Sequence, residues 1–219
     1  MTDWQKVFDM KKLLIIVFPE LYYKESDGLK PEGLKHLEKN IEGRIEDGFE
    51  THVILHSDGN LLFDFLGEHN VHRIKSLARD IGPAFYDHEI YKVLREIGVA
   101  DADVCAYGGF HSTDCVDKIA IEGARLAAEK GRANTLIDPC VTNLAAKIPT
   151  NDVDDLSGDG WFNHILESKF EFIHTREGIK EYSIPVFSHI NRNFQGIYTP
   201  ERIDTLVDFM LQSEVARTL

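Results

Sequence analysis

The chain has few cysteines, no long apolar run and no surplus of positive charge, and each shortage narrows what it can do. Cysteine occurs three times in 219 residues, at positions 105, 115 and 140. An odd number, placed in or beside expected strands and a helix, does not make a disulfide framework, and no zinc-type spacing is present. The thiols are therefore expected to be reduced, as in a cytoplasmic protein. No apolar stretch approaches the ~20 residues that cross a bilayer, and residues 1–12 are too polar and charged for a secretory signal, so no membrane partner is expected. Lys and Arg together number 24 against 37 Asp and Glu, a formal net charge of −13. Phosphate contacts need clustered cations, so this balance argues against nucleic acid or an anionic membrane surface as partner. There is no internal repeat and no low-complexity tract. Gly108-Gly109 is a pair and not a phosphate-cradling fingerprint.

What is present suits one globular unit, since 43% of the residues are hydrophobic and no segment differs enough in composition to mark a second core. The run Leu13-Leu14-Ile15-Ile16-Val17-Phe18 is unbroken and apolar, as in a strand buried on both faces. Leu34, Leu37, Ile41 and Ile45 recur at helical spacing, with Pro31 near the start and Gly48 after the end. Val53 to His56 reads as the second strand. Tyr91, Leu94 and Ile97 mark a further helix, with Asp87 as its cap and Gly98 as its stop. It leads into a strand at Val104 to Tyr107. Val116, Ile119, Ala120, Gly123, Ala124, Ala127 and Ala128 give a helix that Gly131 ends. Strands near Thr135 to Ile137 and Phe170 to His174 follow, and the last helix opens at Thr199-Pro200 with Ile203, Leu206, Val207, Met210 and Leu211 as its stripe. Strands separated by helices need crossover connections, so the fold class is α/β, a three-layer α/β/α sandwich of Rossmann type around a mainly parallel sheet. Ligands bind such sheets beyond the carboxyl ends of the strands, where Phe18 to Glu20, His56 to Asn60 and Gly108 to Cys115 are expected to converge.

Cys115 falls directly after a strand and in the first turn of a helix. Unpaired backbone N–H groups and the positive end of the helix dipole lower a thiol's pKa there and can hold an oxyanion. The bland alternative is a small buried apolar residue. The run Asp103-Val104-Cys105-Ala106-Tyr107-Gly108-Gly109, then Ser112, Cys115-Val116, Ala120 and Ala124, then Asn134-Thr135-Leu136-Ile137-Asp138-Pro139-Cys140, resembles the isochorismatase-like cysteine hydrolase superfamily. The usual form there is a strand, Gly-x-x-Thr-x-x-Cys-Val, a helix, and a strand ending in Asp-Ala. Gly109 matches the glycine, and Ser112 stands where threonine is usual. The likeness covers about Leu13 to His174.

The resemblance implies a triad of an Asp ending strand one, a Lys before the helix that precedes the nucleophile strand, and the Cys. Strand one here reads Val17-Phe18-Pro19-Glu20, so Phe18 holds the Asp position and Glu20 the Gln position of Asp-x-Gln. Lys-x-x-x-Ser-Ala-Phe corresponds to Arg79-Asp80-Ile81-Gly82-Pro83-Ala84-Phe85. Arg79 keeps the positive charge and can pair with a carboxylate or a bound anion, but it does not donate a proton near neutral pH. Phe18 accepts no proton. Glu20 could replace the aspartate if the chain stayed extended and put both residues on one face, or it is a solvated turn carboxylate. His111 could pair with the thiol, or it is a surface loop histidine. Asp58 holds the place of the aspartate that opens the Asp-x-His metal site of nicotinamidase-like members. Its third residue is Asn60, so no metal and no cofactor are expected. His52, His56, His69 and His72 complete no ligand spacing and read as solvated or core histidines.

The catalytic set expected is thus Cys115, Glu20 and Arg79, with Phe18, Asp58, Phe85, Gly109, Phe110, His111 and Asp114 lining the binding site. The implied activity is hydrolysis of a small amide or related carbon–nitrogen bond, with a small-molecule substrate as partner. The alternative is a catalytically degenerate member that binds a small ligand or a protein without turnover, because two triad positions are changed. The hydrolase domain is expected over residues 1–175. Residues 176–219 form a C-terminal extension, an arm or lid plus a final helix, packed on that domain or exchanged between the subunits of a homo-oligomer.

Overall fold

The structure, a computed structural model, describes residues 10–21, 31–61, 63–75, 84–110, 115–142, 176, 180 and 198–208. Five strands form: β1 (Lys12–Val17), β2 (Glu50–His56), β3 (Asn70–Ile74), β4 (Val104–Gly109) and β5 (Thr135–Thr142). All their pairings are parallel, and the order across the sheet is β3-β2-β1-β4-β5. Parallel neighbours cannot be joined by a tight hairpin. Helices α1 (Pro31–Glu46), α2 (Ala84–Ile97) and α3 (Cys115–Glu129) accordingly fall between β1 and β2, β3 and β4, and β4 and β5. The expected α/β architecture with a parallel sheet is what forms.

β1 is the middle strand, which is why its sequence is unbroken and apolar: Leu13 through Val17 are fully buried. Its register sets Val17 opposite Ile54 on β2 and Gly109 on β4. At Gly109 the backbone has φ 125, and a Cβ there would lie 2.0 Å from the Val17 carbonyl oxygen. Only glycine lets the two strands close at that end. This is also where the chain reverses its direction of travel across the sheet, by way of β2 and β3 on one side and β4 and β5 on the other, the place such folds bind ligands.

Three details depart from the sequence reading. β3 was not anticipated, because only Val71 and Ile74 in Asn70–Ile74 are apolar and the strand is half exposed. Helix α2 begins at Ala84, so Asp87 lies inside it and is not its cap. β5 runs past Ile137 to Thr142, with a register shift opposite Tyr107 and Gly109 that accommodates Pro139. A buried ion pair holds that irregular stretch to α1. Arg44 Nε donates to Asp138 Oδ2 at 2.8 Å, the Cys140 N–H donates to Asp138 Oδ1 at 3.0 Å, and Asn40 Nδ2 donates to the Cys140 carbonyl at 2.8 Å.

The expected strand at Phe170 to His174 lies outside the described residues, as do Met210 and Leu211. Residues 200–208 are helical, and Leu206 and Val207 join the same core as the sheet. The Thr135 N–H donates to the Tyr198 hydroxyl at 3.0 Å, and Arg202 Nε donates to the Ala133 carbonyl at 2.9 Å. This part of the C-terminal extension packs on its own chain.

Candidate functional site

The carboxyl end of β1 is built by a break in the strand. The Phe18 N–H still donates to the Ile54 carbonyl at 2.8 Å, and the Phe110 N–H to the Val17 carbonyl at 2.8 Å. Phe18 then enters the left-handed region with φ 48, a conformation rare for a bulky side chain. Pro19–Leu21 follows as one turn of 3-10 helix. Such outliers persist where the surroundings over-determine them, and they gather at functional sites. Here the kink turns the chain sideways, over the end of β2.

Glu20 is the residue this kink delivers. Its Oε1 accepts from the His56 backbone N–H at 2.8 Å and from His56 Nδ1 at 2.7 Å. The Glu20 side chain is 9% exposed and that of His56 14%. A carboxylate oxygen only accepts, so Nδ1 of the neutral ring carries the proton and Nε2 keeps the lone pair. Nε2 has no partner among the described residues. The ring is fixed from a third side by Phe18, stacked on it with centroids 3.8 Å apart and planes at 17°. The turn at Ser57 to Gly59 closes over the carboxylate: a Cβ on Gly59 would lie 2.7 Å from Glu20 Oε1. Arg73 on β3 holds the turn, its Nη1 donating to the carbonyls of His56 at 3.3 Å and Gly59 at 2.6 Å. The second carboxylate oxygen, Oε2, is buried and has no hydrogen-bond partner among the described residues.

Glu20 therefore reaches the site by another route than the one expected. The chain does not stay extended past Phe18, and Phe18 and Glu20 do not share a strand face. Phe18 is 1% exposed and acts as the wall behind His56. His56 is the residue the sequence reading missed, having been grouped with three other histidines. The available signal was its place as the last residue of a strand, at the edge where ligands bind.

Cys115 is the first residue of α3, half-buried and packed against the core. The other two thiols are buried. Burial pushes the Cys105 thiol up, away from any reactive range, and its Sγ lies 3.6 Å from the Val99 carbonyl. Gly109 and Phe110 stand at the end of β4, with Phe110 9% exposed. Asp58 is exposed in the Ser57 to Gly59 turn, so it projects to solvent and does not line the buried pair. Phe85 is the second residue of α2, and its side chain lies outside the description. Arg79, His111 and Asp114 lie outside the described residues.

Of the three segments expected to converge, Phe18 to Glu20 meets His56 to Gly59. Among the described residues, no group of three or more His, Cys, Asp and Glu is placed to hold a metal ion. No described helix is long and apolar enough to cross a membrane. A cleft of about 310 Å³ bounded by Met10, Asp103, Val104, Arg202 and Leu206 opens at the amino end of β4, the opposite edge of the sheet from the Glu20–His56 pair. Comparison of the chain with protein-family models, with curated proteins and with solved structures gives no match.

Proposed function

We propose that the chain is a cysteine hydrolase acting on a small amide or related carbon–nitrogen bond, with Cys115 as nucleophile and the Glu20–His56 pair in place of the missing aspartate base. The observation that carries the reading is the buried Glu20 Oε1 bonded to His56 Nδ1 at 2.7 Å at the carboxyl edge of the sheet. A base oriented by a second group is the arrangement on which nucleophilic catalysis rests. In this scheme His56 Nε2 takes the Cys115 thiol proton, and the sulfur attacks the substrate carbonyl carbon. The oxyanion is held by backbone N–H groups at the start of α3, where the helix dipole is positive. The C–N bond breaks as the imidazolium returns its proton to the leaving nitrogen. Water, deprotonated by the same imidazole, then releases the acid from the thioester. Glu20 stabilises the imidazolium throughout.

The sheet supports this division of labour: β2, which ends in His56, and β4, which leads to Cys115, flank β1 on either side. None of the three cysteines forms a disulfide, which fits a reducing, cytoplasmic location. A second reading, a ligand-binding protein without turnover, is favoured by Phe18, which occupies the triad's carboxylate position with a buried ring. Mass spectrometry of the intact chain against a panel of small primary amides, with ammonia release followed in parallel, separates the two. The hydrolase reading expects an acyl adduct on Cys115, and loss of turnover by about three orders of magnitude or more in Cys115→Ser with an unchanged circular dichroism spectrum. Full turnover in Cys115→Ser removes the mechanism, and ligand binding with no adduct on any panel member hands the site to the second reading.

A further inference from the structure

Glu20 Oε2 is a carboxylate oxygen taken out of water and given nothing in return. The side chain is 91% buried, taking its 9% exposure from the whole. Oε1 is used by His56 and Oε2 by no group among the described residues. Leaving a buried acceptor of this charge unpaired is costly, and the group that relieves it is an N–H donor, best a cationic one. The cation that holds the neighbouring turn, Arg73, donates to the carbonyls of His56, Ser57 and Gly59.

We infer that Glu20 Oε2 is the receptor for a positively charged nitrogen group, an ammonium, amidinium or guanidinium, on the molecule that this edge of the sheet takes. The role of the subsite rests on the hydrolase reading, since it fixes one end of the substrate beside His56 while the carbonyl meets Cys115. Its occupancy can be read without any turnover. A planar amidinium suits it, because one charged N–H can meet Oε2 while Oε1 keeps its two bonds to His56. The chain's net charge of −13 draws such a ligand toward the protein. Oε2 is shut from water by the packing around it.

Benzamidine, benzamide and benzoate share one shape and carry positive, neutral and negative charge, and their binding to the full-length Cys115→Ser chain near neutral pH tests the subsite by calorimetry. Benzamidine is expected to bind roughly ten-fold or more tightly than benzamide, with benzoate weakest, as a charge-assisted hydrogen bond requires. Glu20→Gln should erase that preference. The probe series alone decides the matter if Glu20→Gln does not fold. Equal binding of the three, or a preference for benzoate, overturns the subsite. The latter would mean that a cation of the chain, with Arg79 the candidate, governs this edge. Benzamidine preference without an acyl adduct on the wild-type thiol would keep the subsite and remove the hydrolase; an adduct without the preference would do the reverse.

Discussion

Tyr107 carries its hydroxyl into the interface between β4 and α3 with no hydrogen-bond partner among the described residues, and burial pushes the phenol well above its ordinary range. Gly123 lies over it: a Cβ at that position would sit 1.9 Å from the Tyr107 oxygen. Two opposite outcomes follow. Tyr107→Phe removes an unsatisfied polar atom and should leave the protein as stable or about 1 kcal/mol more stable in urea unfolding. Gly123→Ala should cost about 1–3 kcal/mol by overpacking. A destabilised Tyr107→Phe would mean that the hydroxyl is hydrogen-bonded in the folded chain. The sequence placed Gly123 on the buried stripe of its helix, yet the partner that requires it, 16 positions back in the chain, leaves no mark on local periodicity. The same limit hid the main contact of the site. Glu20 and His56 are 36 residues apart, and they meet through a left-handed Phe18 that no side-chain preference would foretell. The place of Cys115 at a helix start was legible because the signals that begin a helix are local.

At the scale of elements, the edge of the sheet contains a pH-sensitive joint between β2 and β3. His52 Nδ1 and His72 Nε2 are 3.0 Å apart, and His52 Nε2 reaches Glu50 Oε1 at 3.2 Å. Burial lowers the pKa of both rings. Glu50 and the other histidine act on His52 in opposite senses, Lys11 adds a lowering field on His52, and Glu96 raises His72. A bond between two imidazoles needs at least one lone pair, so the doubly protonated pair repels. Because the folded pKa values lie below the unfolded one of about 6.5, the unfolded chain binds more protons as pH falls through that value. The contribution to stability is whole above about pH 6.5 and declines as pH drops toward the lowered folded values. The thermal midpoint should fall between about pH 6.5 and 5, and His72→Gln should make that slope shallower. A slope unchanged by the substitution would show that other groups set it. β3 is the element sequence reading passed over, and its composition explains why: it is a half-exposed strand whose specificity lies in this histidine contact and not in an apolar run. The elements with continuous burial, β1 above all, were plain in the sequence because a strand covered on both faces must be apolar throughout.

At the scale of the whole molecule, the strand that ends in His56 and the strand that leads to Cys115 share one end of the sheet. The sheet order β3-β2-β1-β4-β5 puts β1 between the strand that ends in His56 and the strand that leads to Cys115. Gly109 lets β1 and β4 close against each other at this end, where a Cβ would lie 2.0 Å from the Val17 carbonyl oxygen. The parallel α/β plan was legible from the alternation of apolar runs and helical stripes. The way its edge is furnished was not, since that depends on which residue the kinked end of β1 throws across its neighbour. The central claim is that Cys115 is a nucleophile prepared by this edge, and the measurement that tests it most directly is the rate at which iodoacetamide alkylates each cysteine between about pH 5 and 9, read by peptide mass in the wild type and in His56→Gln. The account predicts a Cys115 profile that rises well below the ordinary thiol value of ~8.5, moves toward it in His56→Gln, and leaves Cys105 silent. A Cys115 no faster than Cys140, or a profile that His56→Gln does not move, would contradict it.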